Sequence, residues 1–132
     1  MTQHSSTTVT SIATAMFTVS SQDEAIAFYR TTLGWELRTD VTFGEGDQQG
    51  RWVEVAPPGS RAVLALNEFQ GGVPGGGAIG VESTDVRAER SALEAAGVTV
   101  GDLIGGEGSV PLMFSATDPD GNNIWVVAVS TS

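Results

Sequence analysis

Read in order, the elements of this chain are a strand, a helix and three strands, and then the same series again. That order predicts an α+β fold: two tandem βαβββ modules forming a concave, cavity-enclosing mixed sheet with the helices outside. Three observations support it. Residues 70–77 (QGGVPGGG) are a glycine-rich break that divides the 132 residues almost in half. Each half holds one helix-spaced apolar face that closes on a glycine, Gly34 in the first and Gly97 in the second. Each half also carries a tight-turn signal late in its run of strands, Pro57-Pro58-Gly59 and Asp118-Pro119-Asp120-Gly121.

The first strand is predicted over residues 12–19 (IATAMFTV). Ser21 then caps a helix, with Glu24 three residues later as in a capping box. Ala25, Phe28 and Tyr29 fall on one face of that helix, the spacing of an amphipathic element. Residues 35–42 form a second strand, 44–50 (GEGDQQG) a turn, 51–56 a third strand and 61–66 a fourth. A linker at 68–77 comes next, read as a connector because no phosphate-loop pattern stands in it. Beyond it, 78–82 is a strand and 85–96 a helix, with Ala88, Ala92, Leu93 and Ala96 as the apolar face. Residues 98–103 form a strand, 105–108 a turn, and 112–117 and 123–129 the last two strands. The repeat aligns Phe28-Tyr29 with Ala92-Leu93, Leu33-Gly34-Trp35 with Ala96-Gly97-Val98, and Pro58-Gly59 with Asp120-Gly121. Module one is then 12–67 and module two 78–130, one domain over 12–130 behind a polar, loose tail at 1–11. A single helix covers one face of a four-stranded sheet, so the opposite faces are left to enclose a cavity between the halves.

Composition narrows the chemistry. Apolar residues make up 40% of the chain, the level of a globular domain. No apolar run is long enough to span a membrane, and the N-terminus lacks the basic start and apolar core of a signal peptide. There are no cysteines, which removes disulfides, thiolate metal sites and a cysteine nucleophile and fits a cytoplasmic address. The formal net charge of −10 repels nucleic-acid phosphates and anionic lipid; solubility explains it without a charged partner. The one histidine, His4, lies in the tail, so no Ser-His-Asp set can form.

The segments Ala25-Ile26-Ala27-Phe28-Tyr29, Leu33-Gly34-Trp35-Glu36, Asp85-Val86 leading into Leu93-Glu94-Ala95-Ala96-Gly97-Val98, and Asp118-Pro119-Asp120-Gly121-Asn122 together resemble the vicinal-oxygen-chelate superfamily. That superfamily holds glyoxalases, extradiol dioxygenases and the bleomycin- and fosfomycin-resistance proteins. The resemblance runs over about residues 12–129. Its metal-dependent members place His, Gln or Glu at four cavity-side strand positions, which fall here on Thr14, Val63, Ala78 and Trp125. A divalent metal needs three or more imidazole or carboxylate ligands. These four offer none, so the resemblance implies a metal-free, cofactor-free member of the antibiotic-binding branch.

Strand alternation assigns the cavity wall. With Ala15, Phe17 and Val19 toward the helix, Thr14, Met16 and Thr18 face the cavity; with Val53 and Val55 inward, so do Trp52 and Glu54. Val63, Ala78, Gly80, Met113, Ser115 and Trp125 complete the expected wall. Trp35, next to a helix-ending glycine, reads as core. Trp52 and Trp125 read as pocket lining, or as plugs if the cavity is filled. Glu54 reads as a solvated strand residue, or as a general base if it is buried alone. The Asp118–Gly121 turn reads as structural, since a turn accounts for it. The expected function is sequestration of a planar, largely apolar natural product or antibiotic. Two other readings stand beside it: a metal-free isomerase, cyclase or lyase using Glu54, and an interaction module with a filled core. Binding is preferred because no second titratable group of opposed pKa accompanies Glu54. The resemblance also implies a homodimer, and a half-open sheet is commonly completed by a two-fold partner.

Overall fold

The computed structural model describes residues 7–68 and 72–129. The first sheet holds β1 (Thr14–Thr18), β2 (Glu36–Phe43), β3 (Gly50–Ala56) and β4 (Val63–Asn67), in the order β1-β4-β3-β2. The second holds β5 (Ala78–Ser83), β6 (Thr99–Val100), β7 (Met113–Thr117) and β8 (Asn123–Ala128), in the order β5-β8-β7-β6. In each, the first strand runs parallel to the last and the other neighbours are antiparallel. One helix serves each sheet, α1 (Gln22–Ala27) and α2 (Val86–Ala95). This is the two-module βαβββ fold. His4 and the first part of the tail, residues 69–71 of the linker, and residue 130 lie outside the described residues.

Local chemistry accounts for the element ends. Ser21 Oγ accepts from the Glu24 N–H at 3.1 Å, and Asp85 caps α2 by accepting from the Ala88 N–H at 3.0 Å. Gly34 (φ 76°) and Gly97 (φ 87°) stop the two helical segments in the left-handed region. Between Ala27 and Gly34 the chain is not α-helical to the end. It passes through a π-helical turn, Phe28–Thr32, where the Leu33 N–H reaches back five residues to the Phe28 carbonyl. The inserted residue shows in the repeat: the Trp35 N–H bonds to Tyr29, six residues back, whereas the equivalent Val98 N–H bonds to Leu93, five back.

Several expected elements change length. β1 is shorter than 12–19, and the strand expected at 98–103 contracts to Thr99–Val100, with Ile104 making only an isolated bridge to Met113. The expected apolar face of α2 is also corrected. Val86 and Leu93 are buried, while Ala88, Ala92 and Ala96 are exposed. Val86 and Leu93 stand two turns apart, with half-buried Arg90 between them donating from Nε to the Gly101 carbonyl at 2.8 Å. The alanines flank that stripe, and a methyl group is too short to reach the sheet from the flank.

One core spans both modules, with Phe17, Tyr29, Val53, Val55, Leu64 and Leu66 clustered with Val86, Leu93, Phe114, Ile124 and Val126. A polar latch joins the halves inside it. The Tyr29 hydroxyl donates to Asp118 Oδ2 at 3.0 Å, and the backbone N–H groups of Asp120 and Asn122 donate to Oδ1 at 2.9 Å. Asn122 Nδ2 donates to Asp118 Oδ2 at 3.0 Å and to the Thr18 carbonyl at 3.1 Å, while its Oδ1 accepts from the Gly77 N–H at 3.0 Å. The Asp118–Gly121 turn is therefore structural, and it also fastens module two to module one.

Candidate functional site on the open sheet faces

Alternation places helix-side residues of the first sheet as expected, with Phe17, Val19, Val53 and Val55 buried; on the second sheet Phe114, Ala116, Ile124 and Val126 are buried in the same way. The ten candidate residues stand on the opposite, open faces, divided between the sheets. Thr14, Met16, Trp52, Glu54 and Val63 belong to the first sheet; Ala78, Gly80, Met113, Ser115 and Trp125 belong to the second. Ladder register sets their neighbours. On the first sheet Thr14 is paired with Val63, and one row runs Met16–Ala65–Glu54–Thr39. On the second, Trp125 lies between Gly80 and Ser115, Ala78 is beside Asn123, and Met113 is beside Val127. A Cβ on Gly80 would meet nothing within 4 Å, so the space beside Trp125 is open.

The structure brings only some of these together in one hollow. Met16 and Trp52 line a groove of about 700 Å³ with Phe43, Gly50, Asn67 and Gln22. Val63 and Gly80 line another of about 660 Å³ at the junction of the modules, walled also by Trp35, Pro57 and Pro58. A smaller one of about 320 Å³ adjoins it, with Trp35, Pro57, Pro58, Val81 and Glu82 common to both. Trp125, Met113, Ser115, Thr14, Ala78 and Glu54 line none of these three. Trp52 and Trp125 thus stand on separate sheets rather than across one hollow. Trp35 is packed against the core, its ring centroid 5.2 Å from that of Tyr29, and it also faces the junction.

The groove at Trp52 has a local cause. The β3–β4 ladder holds only the pairs Glu54–Ala65 and Val55–Leu64, so the strands part toward Trp52 and Asn67. Gln22 fills the helix side of that gap, its Nε2 donating to the carbonyls of Arg51 and Leu66 at 2.9 Å each. A bulge between Leu37 and Thr39 then changes the phase of β2. Leu37 pairs with Val55 on the core side, but Thr39, Val41 and Phe43 pair with Glu54, Trp52 and Gly50 on the open side. Phe43 lies over Gly50 so closely that a Cβ there would collide with its ring. Met16, Val41 and Phe43 are 57%, 53% and 54% exposed, so the open face of this sheet carries an uncovered apolar patch around Trp52.

Charges at the groove's rim are mutually engaged. Arg51 Nε and Nη2 grip the Asp40 carboxylate at 2.8 Å each, and Nη1 donates to Asp23 at 2.8 Å. The Arg51 hydrogen bonds hold the Asp40 carboxyl below its ordinary value, and the Asp40 and Asp23 carboxylates push the guanidinium still higher. Glu68 accepts from the Gln22 N–H at 2.6 Å. A metal does not fit the four positions that the resemblance assigns to ligands: Thr14, Val63, Ala78 and Trp125 bring neither imidazole nor carboxylate. Among the described residues no group of three or more His, Cys, Asp or Glu is gathered anywhere.

Val41, Phe43, Gln22 and Asn67 were not expected in the wall. The bulge hides the first two from a simple alternation count. Asn67 carried a signal: it is the one polar residue in VLALN, in phase with Val63.

No curated protein matches the chain, but solved structures do. An antibiotic-binding protein, TnmS3, from Streptomyces sp. CB03234 is similar in structure, with 29% identity, a TM-score of 0.79, and coverage of 94% of this chain and 99% of that one. A glyoxalase/bleomycin resistance protein from the same Streptomyces is 31% identical, with a TM-score of 0.74 and coverage of 89% and 99%. A member of the glyoxalase/bleomycin resistance protein/dioxygenase superfamily from Sphaerobacter thermophilus is 29% identical, with a TM-score of 0.77 and coverage of 92% and 98%. The family model of the Glyoxalase/Bleomycin resistance protein/Dioxygenase superfamily matches residues 11–126, and this chain belongs to that superfamily.

Proposed function

We propose that this protein binds a planar, largely apolar small molecule on the open faces of its sheets and holds it unchanged. The observation that carries the reading is the first sheet's open face, where Met16, Val41 and Phe43 stand more than half exposed around Trp52. Water disfavours such a patch, and a flat ring system covers it well. TnmS3 is an antibiotic-binding protein, and the corresponding role here is resistance by sequestration of an antibiotic or natural product in the cytoplasm. Trp52 and Trp125 are the proposed stacking surfaces, with Thr14, Met16, Val63, Ala78, Gly80, Met113 and Ser115 as wall and no metal or cofactor in the site. In a homodimer, a second chain brings its own half of this surface to the first, which unites the two tryptophan faces that one chain keeps apart.

The test is to load the protein with its compound, incubate, and recover the compound. It should return chemically unchanged. Trp52→Ala and Trp125→Ala should each weaken binding at least ~10-fold, which needs only about 1.4 kcal/mol. Ring stacking contributes about 0.5–1.5 kcal/mol, and burying a further ~100 Å² of apolar surface about 2.5 kcal/mol before binding costs. A new product by mass spectrometry, lost in Glu54→Gln, would replace sequestration with metal-free catalysis.

A further inference from the structure

The groove beside Trp52 holds a polar group that none of the described residues engages, and a role for that group rests on the binding function proposed for this face. Asn67 ends β4 on the open face and is only 6% exposed. Its backbone is engaged, the carbonyl accepting from the Val19 N–H at 2.9 Å. Its side-chain amide bonds to none of the described residues. No side-chain nitrogen or oxygen that is closed off from water lacks a partner among those residues, so the amide keeps a narrow opening. Asn67 belongs to the wall of the Trp52 groove and stands in phase with Val63 on the open face. Of the other polar residues in this wall, Thr42 and Gln49 are exposed to water, and Gln22, Arg51 and Glu68 are engaged. Gln22 spends both N–H groups on the strand carbonyls, Arg51 is held by Asp40 and Asp23, and Glu68 caps the Gln22 N–H.

An amide presents a donor and an acceptor side by side in one plane. Covering it with a hydrocarbon leaves both unpaired and out of water, which is unfavourable. Covering it with an edge of matching donor and acceptor restores both bonds. We propose that Asn67 is the specificity-determining residue of this groove. It selects planar ring systems whose edge carries a neighbouring donor and acceptor, such as a lactam or carboxamide, over hydrocarbons of the same shape. The ring lies against Trp52 and Met16, and its polar edge points into the gap where β3 and β4 part.

The experiment compares a planar tricyclic lactam, phenanthridinone, with phenanthrene, by quenching of tryptophan fluorescence and by calorimetry on the full chain. The parent protein should bind the lactam at least ~10-fold more tightly than the hydrocarbon. Asn67→Leu should erase that preference by weakening lactam binding and leaving phenanthrene binding equal or tighter. Asn67→Ala provides the same comparison if the leucine variant does not fold. Trp52→Ala should weaken both probes alike. Equal affinities in the parent, or a preference that survives loss of the Asn67 amide, would overturn the role of Asn67 while leaving the groove intact. Failure of both probes to bind, or binding indifferent to Trp52→Ala, would overturn the groove itself and this proposal with it.

Discussion

Tyr29 allows the latch between the modules to be tested in isolation. It is the only tyrosine, and the chain has no cysteine and no lysine. Between about pH 9 and 12, therefore, the one side chain that changes charge is the Tyr29 phenol. That phenol is fully buried, at 0% exposure, and donates to Asp118. Burial first, and then the Asp118 charge and hydrogen bond, push its pKa well above the ordinary value. The folded protein thus keeps the proton while the unfolded chain releases it above about pH 10. The stability linked to this group is fully present below that pH and is lost as pH rises beyond it. The slope is about 1.36 kcal/mol per pH unit, so roughly 2.7 kcal/mol is gone by pH 12, a large share of a typical domain's stability. Phenolate absorbance and far-ultraviolet circular dichroism, recorded together on one alkaline titration, check this. The phenolate should appear only as the fold is lost, the two transitions coinciding. Tyr29→Phe should lower stability at neutral pH by about 1.5–3 kcal/mol, as for a hydrogen bond to a charged group, and abolish the alkaline loss. Reversible phenolate formation near pH 10 with native dichroism would show that the latch does not hold the proton.

The ligand positions and the junction hollow each give a further expected outcome. Purified protein should carry no stoichiometric Zn, Fe, Mn or Ni and show no change in Tm with chelator, because Thr14, Val63, Ala78 and Trp125 occupy the ligand positions; about one metal per chain by elemental analysis would refute that. Trp35→Ala should cost about 2–4 kcal/mol in denaturant unfolding, less than a fully buried indole because one side faces the junction hollow. A stable Trp35→Ala protein that has lost its ligand would instead move the binding site to that junction.

What was legible in the sequence is what depends on near neighbours along the chain. Gly34 and Gly97 end their helices because an achiral residue takes the left-handed conformation wherever it falls, so the repeat and its two modules could be read directly. Alternation likewise placed Phe17, Val19 and Val53 toward the helices. Tertiary structure decided the rest. The bulge at Arg38 turns Val41 and Phe43 onto the open face, the inserted π turn lengthens the approach to Trp35, and α2 buries Val86 and Leu93 instead of its alanines. The same holds for the placement of Trp52 and Trp125 on different sheets and for the Asn67 amide at the β3–β4 gap, which is unpaired among the described residues. A residue period says which side of a strand a side chain takes. Which surface that side meets depends on contacts between residues far apart in the chain, such as the 89 positions that separate Tyr29 from Asp118.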